Sequence, residues 1–394
     1  MLPAEAGSHT KMIRQTVAHV DLDAVRSNYR AIAGFLGSPA GLADSRPAGP
    51  AIIAVVKANA YGHGAAPVGL ALEAEGAAML ACADIEEGIA LRQAGVCAPI
   101  LVFGALSVSD LDGIVDHQLT PTISTPSAAR ALQATAERRG VRMRCHLKID
   151  TGMNRLGFRH DNVQVTLPEV AASAHLEIAA VYTHFATADN PDHPAFALQR
   201  DRFERVLGLL PPMGITTGVR HAANSAALLR DERVWYDYVR PGLMLYGIVP
   251  PPLAATLTLR PALSLRSRIV AVKGIRPGEG TGYGLRNAGD QPATLAVIPA
   301  GYADGLDLRL AGRGYMLVRG RRAPVVGSVC MDMTTIDVTG MDVAPGDEVV
   351  MVGEQAGESI GVREIAASIG TIPYELLCRL GARIERVYGV TAGV

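Results

Sequence analysis

The segment Ile52 to Gly64, IIAVVKANAYGHG, sets a lysine behind a run of small and β-branched residues and in front of a small-residue loop. Such a run reads as a fully buried strand that delivers Lys57 at its C-terminal tip. A desolvated lysine releases its proton more readily and becomes a usable amine, able to condense with an aldehyde cofactor or to move a proton. Ala58, Asn59, Ala60, Tyr61, Gly62, His63 and Gly64 add polar handles on a backbone that a ligand can approach closely. The alternative for any strand-end lysine is a charge reaching solvent. Tyr61 and the two glycines weigh toward chemistry here.

A reactive lysine needs a frame that brings distant segments to it. Strand-like runs recur near Ile52 to Lys57, Met79 to Ala83, Ile100 to Phe103, Thr120 to Ile123, Met143 to Ile149, Ile178 to His184, Val219 to Ala223 and Tyr238 to Pro241. Helical patterns lie over Leu22 to Leu36, Ala65 to Glu75, Ile85 to Ala94, Ser127 to Arg139 and Pro194 to Leu210. The alternation predicts an α/β fold with a parallel sheet, and periodicity alone allows an open sheet or a closed (β/α)8 barrel. Around Pro250, Pro251 and Pro252 the pattern changes to alternating strands such as LSLRSRIVAV, ATLAVIPAG and DEVVMVG. We therefore expect a barrel over residues 1–252 and a mainly β domain over 253–394, ending in a helix from Gly361 to about Arg379. GSPAGLADSRPAGP, Gly37 to Pro50, reads as a loop.

At 394 residues the chain exceeds one ordinary core, in keeping with two domains. Charge is balanced at 37 basic against 38 acidic residues, without a basic block, so nucleic acid is not an expected partner. No apolar run approaches the ~20 residues of a membrane span. The N-terminal stretch carries no export pattern, and five scattered cysteines form neither a disulfide framework nor a zinc motif. These features predict a cytoplasmic protein with no membrane partner and no metal.

The lysine segment resembles that of alanine racemases, and further motifs follow in the order of that family. They are HLKIDTGMNRLGF from His146, YTHFATAD from Tyr182, HAANSAA from His221, VRPGLMLYG from Val239, GTGYGLRN from Gly280, IPAGYADG from Ile298 and GSVCMDM from Gly327. The resemblance spans nearly the whole chain and implies the closed (β/α)8 barrel, pyridoxal 5'-phosphate as cofactor, and a homodimer with shared sites. It also implies a role for each motif residue. Lys57 carries the cofactor and serves as the base for the D-isomer, while Tyr283, contributed by the other subunit, serves the L-isomer. Tyr61, Ser225 and the backbone N–H groups of Gly242 and Leu243 bind the phosphate, with His184 behind the cofactor and Arg240 facing its ring nitrogen. Arg155, Met331 and Asp332 receive the substrate carboxylate, Tyr302 lines the entrance, and Lys148 is the counterpart of a lysine that can be carbamylated.

Several residues keep a second reading. Ser225 also suits a helix N-cap, Arg240 a buried salt bridge, Tyr283 an ordinary turn between glycines, and Lys148 a plain pair with Asp150. One departure stands out: some members place a phosphate-contacting tyrosine four residues after the cysteine matching Cys378, where this chain has Ala382.

The leading expectation is an alanine racemase that makes D-alanine for peptidoglycan or degrades it. The alternatives are a broader-specificity racemase or a decarboxylase of the same barrel, and a non-catalytic pyridoxal phosphate carrier. Tyr283 together with the MDM segment argues against the first two. The complete second domain argues against the third.

Overall fold

The computed structural model describes residues 15–37, 49–104, 106, 110–216, 218–253, 257–287 and 290–389. Residues 38–48 of the expected Gly37 to Pro50 loop and residues 1–14 of the N-terminal stretch lie outside them.

The buried apolar runs become eight parallel strands: Ala51–Val55, Met79–Cys82, Ile100–Val102, Thr120–Ile123, Met143–Asp150, Leu176–Tyr182, Val219–Asn224 and Tyr238–Arg240. They pair in chain order, and the ring closes where Tyr238 and Val239 pair with Ala51 and Ile52. The fold is the expected closed barrel. Helices follow the strands, several of them started by a side-chain cap: Asp84 over Ile85–Gln93, Thr125 over Pro126–Arg139 and Asn224 over Ser225–Arg230. Each such cap contributes about 1 kcal/mol.

The division between units differs from the expected one at residue 252. Asp21–Ala262 forms one unit, and Val17–Val20 with the chain from Leu263 onward forms the other. Backbone pairing gives the reason. Val17–Val20 lies between Leu263–Arg268, antiparallel, and Glu385–Tyr388, parallel, so both its edges are satisfied by the β-rich unit. The segment before Leu263 returns to the barrel unit, because buried Asn28 accepts from Arg260 N at 2.7 Å and donates to Arg260 O at 2.8 Å, while Ala262 N donates to Tyr246 O at 3.1 Å.

In the β-rich unit the run LSLRSRIVAV is two strands, Leu263–Arg268 and Ala271–Ile275, and the expected C-terminal helix is two, Val362–Ile369 and Pro373–Cys378. Gly370 takes a left-handed conformation at the end of the first, and Pro373 opens the second. Among the described residues no helix is long and apolar enough to cross a membrane. All five cysteines are free thiols.

Candidate active site

Strand Ala51–Val55 stops two residues before Lys57, so the lysine opens a turn instead of closing the strand. Ala58, Asn59, Ala60 and Tyr61 have φ of 52°, 52°, 53° and 51°, one turn of left-handed helix made without glycine. That conformation costs roughly 1–2 kcal/mol per residue for L-amino acids. Ala60 N donates to Val56 O at 2.8 Å, Gly62 N to Ala58 O at 3.0 Å and Ala65 N to Asn59 Oδ1 at 2.8 Å, which helps to hold it. The turn aims Lys57 and Tyr61 from one short segment.

Tyr61 is buried, and its hydroxyl stands where a Cβ on Gly242 would come within 2.6 Å. Only glycine leaves that space open. Gly242 N donates to Ser225 Oγ at 2.9 Å, so the Ser225 hydroxyl proton is directed elsewhere and the Gly242 N–H is already engaged. The N-cap of Ser225–Arg230 is Asn224, whose Oδ1 accepts from Ala227 N at 2.9 Å, and the capping alternative for Ser225 does not hold. Tyr61, Ser225, Gly242 and Leu243, which opens the short turn Leu243–Tyr246, thus form one polar cup at adjacent strand ends.

Arg240 ends the last barrel strand and is buried. Its Nη1 donates to His221 Nδ1 at 2.7 Å, and its Nη2 donates to Thr183 O at 2.8 Å and Ala222 O at 2.9 Å, with His184 Nδ1 at 3.3 Å. None of these acceptors is a carboxylate, so the salt-bridge alternative fails. Burial lowers the guanidinium to about 10, still fully charged at neutral pH. Both Arg240 and Lys148 sit over the ring of Tyr182, at 5.2 and 5.7 Å from its centroid. Tyr182 in turn stacks on His221 at 4.6 Å.

Lys148 lies within strand Met143–Asp150, as the expected run Met143 to Ile149 has it, and is buried. Burial first, then Arg155 and Arg240, lower its amine to about 8. Asp150 is not its hydrogen-bonded partner. The Asp150 carboxylate accepts instead from Gly152 N at 2.9 Å and Asn154 N at 3.1 Å, shaping the loop that carries exposed Arg155. Gly157 closes that loop at φ 125°, where a Cβ would meet Asp150 N at 2.7 Å. His184, two residues past strand Leu176–Tyr182, is driven well below the usual imidazole value by burial and then by Arg240, Lys148, Arg155 and Lys57. Four cations thus act on one imidazole at the C-terminal rim, where barrels of this class carry their chemistry.

The remaining candidates belong to the β-rich unit. Tyr283 sits on the turn between Gly280–Thr281 and Arg286–Asn287, 79% exposed, and its carbonyl accepts from Ser328 Oγ at 2.6 Å. Tyr302 N donates to Cys330 O at 3.0 Å and Ala303 N to Met331 O at 3.1 Å, which joins the Tyr302 turn to the Met331–Asp332 segment. Arg383 bridges the same pair of segments, reaching Asp332 at 2.8 Å and buried Asp304 at 3.2 Å. Ala382 is exposed and contributes no polar side chain.

Residues 20–250 match the family model described as alanine racemase, N-terminal domain, and residues 262–388 match alanine racemase, C-terminal domain. The chain belongs to the alanine racemase family. It is 40% identical to the alanine racemase of Symbiobacterium thermophilum, over 96% of this chain and 98% of that one. Its fold superposes on the alanine racemase from D-cycloserine producing Streptomyces lavendulae with a TM-score of 0.88 at 34% identity, covering 96% of this chain and 98% of that one. The alanine racemase from Bartonella henselae, solved with covalently bound pyridoxal phosphate, gives 0.84 at 28% identity, with 95% and 99% covered.

Two residues in contact with the alanine racemase motif residues carry no assignment from the sequence. Tyr182 reads as one more strand residue, although it underlies both Lys148 and Arg240. His146 opens the motif HLKIDTGMNRLGF without a role of its own, yet its Nδ1 lies 3.0 Å from His221 Nε2 and extends the arginine contact by one ring. The signal for both is alternation: His146 and Lys148 are two apart on one strand and so share a face, as do Tyr182 and Ala180 on the next.

Proposed function

We propose that this protein is an isomerase that interconverts L-alanine and D-alanine with pyridoxal 5'-phosphate as cofactor. The observation that carries the reading is the Lys57 turn, set among Lys148, Arg155 and Arg240 with an arginine that has no acidic partner. The chain's donor set fits the cofactor. A phosphate ester needs N–H and O–H donors, and the cup of Tyr61, Ser225 and Leu243 offers them in a space kept open by Gly242. When bound, pyridoxal phosphate supplies an electron sink that makes the α-proton of an amino acid removable.

The residues do the rest. Arg240 donates only and holds its proton, so placed against the ring nitrogen of the cofactor it would leave that nitrogen unprotonated, and a proton would then return to the α-carbon rather than to the cofactor. Lys57 Nζ takes or gives that proton on the D-isomer face. Tyr283 Oη takes or gives it on the L-isomer face, and one group accepts as the other donates. Arg155 and the Met331 N–H, with Asp332 beside it, orient the carboxylate; Tyr302 lines the approach; His184 supports Arg240. The Lys148 amine, near neutrality, is open to carbamylation, and the resulting anion offsets the charge of Arg155.

The cations and the exposed Tyr283 turn fall in separate units of the chain. We propose a homodimer in which each site takes the partner subunit's Tyr283, Met331 and Asp332. Five free thiols suit a reducing, cytoplasmic setting, and the D-alanine would serve peptidoglycan synthesis or its reverse, breakdown.

The test is a panel of L-amino acids incubated with the purified protein and resolved by chiral chromatography, with borohydride reduction to locate the cofactor. Racemisation confined to alanine, with the cofactor fixed on Lys57, is expected. Trapping on another lysine, or no racemisation, would overturn the reading.

A further inference from the structure

We propose that Glu87 is a positioning residue that sets the aim of Lys57. This inference rests on the reading of Lys57 as cofactor lysine and base. Glu87 lies in the first turn of helix Ile85–Gln93, which its N-cap Asp84 anchors by accepting from Glu87 N at 2.9 Å. From there its carboxylate spans two strand ends. Oε1 accepts from Ala58 N at 2.6 Å and Oε2 accepts from Ala83 N at 2.7 Å.

Ala58 is the residue after Lys57 and the first of the four left-handed positions, and Ala83 is the residue after strand Met79–Cys82. The first N–H groups of a turn have no acceptor within it, and a carboxylate is the strongest acceptor a side chain can offer them. Because the two oxygens of a carboxylate are held in one plane, the distance between the end of the lysine strand and its neighbour is fixed through a single group. The N–H bonded to Oε1 belongs to the peptide that leaves Lys57, so rotation of that peptide, which would swing the lysine side chain away, breaks the bond. Glutamine keeps the length of this side chain and loses half its function, since its amide accepts at one atom and presents N–H groups at the other. Aspartate is one methylene shorter.

Glu87→Gln tests the assignment by three measurements on one protein. In the cofactor-loaded enzyme, kcat for alanine should fall about tenfold with KM changed less than about threefold, because aim is lost while the carboxylate site remains. Wash-out of the α-hydrogen into deuterium oxide should fall more for D-alanine than for L-alanine. In the cofactor-free protein, amide exchange in the peptide covering residues 57–62 should quicken about tenfold, with strand Met143–Asp150 unchanged. Unchanged kcat, equal loss for both isomers, or faster exchange throughout the barrel would each overturn the proposal. If Glu87→Gln does not fold, Glu87→Ala is measured in the same way, and failure of both to fold also overturns it. A wild-type protein that does not racemise alanine sinks the parent reading instead, and the amide exchange still decides whether Glu87 clamps the turn.

Discussion

Arg240 Nη1 donates a hydrogen bond to Nδ1 of His221 across 2.7 Å, and that contact fixes the tautomers of two buried imidazoles. Guanidinium can only donate, so His221 Nδ1 is bare and its proton sits on Nε2. Nε2 then donates to His146 Nδ1 at 3.0 Å, which places the His146 proton on Nε2 as well. Neither ring can take a second proton without breaking the chain.

Acid should therefore unfold the barrel early. Burial and then Arg240 lower His146 to about 3 and hold His221 well below 6.5, whereas both titrate near 6.5 once unfolded. The unfolded chain binds the extra protons, so the stability present above pH 6.5 is lost as pH falls from there toward 3. The slope is up to roughly 1.4 kcal/mol per pH unit for each imidazole. Urea unfolding of the cofactor-free protein between pH 7 and 5 measures it, and His146→Phe should make the slope shallower.

Gly242→Ala should lower cofactor affinity about tenfold or more while the protein stays folded, because the new methyl meets the Tyr61 hydroxyl at 2.6 Å. Equilibrium titration with pyridoxal phosphate, followed by absorbance, reads this directly. Affinity equal to wild type would show that the cup lies elsewhere.

Tyr283→Phe should abolish racemisation yet retain the cofactor. With Lys57 intact, exchange of the α-hydrogen of D-alanine with deuterium oxide should persist much better than that of L-alanine. Equal losses would contradict a division of the two faces between these residues.

Removal of carbon dioxide should reduce activity reversibly, and labelled bicarbonate should give a carbamate carbon resonance that Lys148→Ala lacks. Carbamylation uses the neutral amine. With the Lys148 value at about 8, that fraction is substantial at pH 8 and drops about tenfold for each unit below, so the resonance should weaken toward pH 6.

Mixing Lys57→Ala with Tyr283→Phe under subunit exchange should restore about a quarter of wild-type activity, since about half the dimers are mixed and each has one intact site of two. No recovery despite exchange verified by mass spectrometry would mean that both residues act from one chain.

Much of the barrel is legible in the sequence because strands covered on both faces are written as continuous apolar runs, and all eight are found within two residues of their observed ends. The lysine and the glycines near Tyr61 also mark the candidate site. What the residues do not announce is the left-handed turn itself: Ala58, Asn59 and Ala60 have ordinary propensities, and the conformation is held by bonds within residues 56–65 together with one from Glu87, twenty-nine positions beyond Ala58. The partners of Arg240 are equally silent, being main-chain oxygens and imidazoles from other strands. Ser225 misleads as a cap because Asn224, one residue earlier, has the same capping chemistry and the better position. VAHV is too short a run to reveal that its neighbours lie hundreds of residues away.

That last pairing shapes how the chain is made. Val17–Val20 is made before both of its neighbours, one of which begins at Leu263 and the other only at Glu385. At ~5–20 residues per second the strand waits on the order of tens of seconds for each neighbour, with the edge that it will pair still open. The barrel strands, all within the span 21–262, pair only with one another, so their partners are all made before Leu263. A nascent chain stalled before residue 385 would thus hold all the barrel strands while Val17–Val20 still shows one bare strand edge, a template for mispairing with other chains.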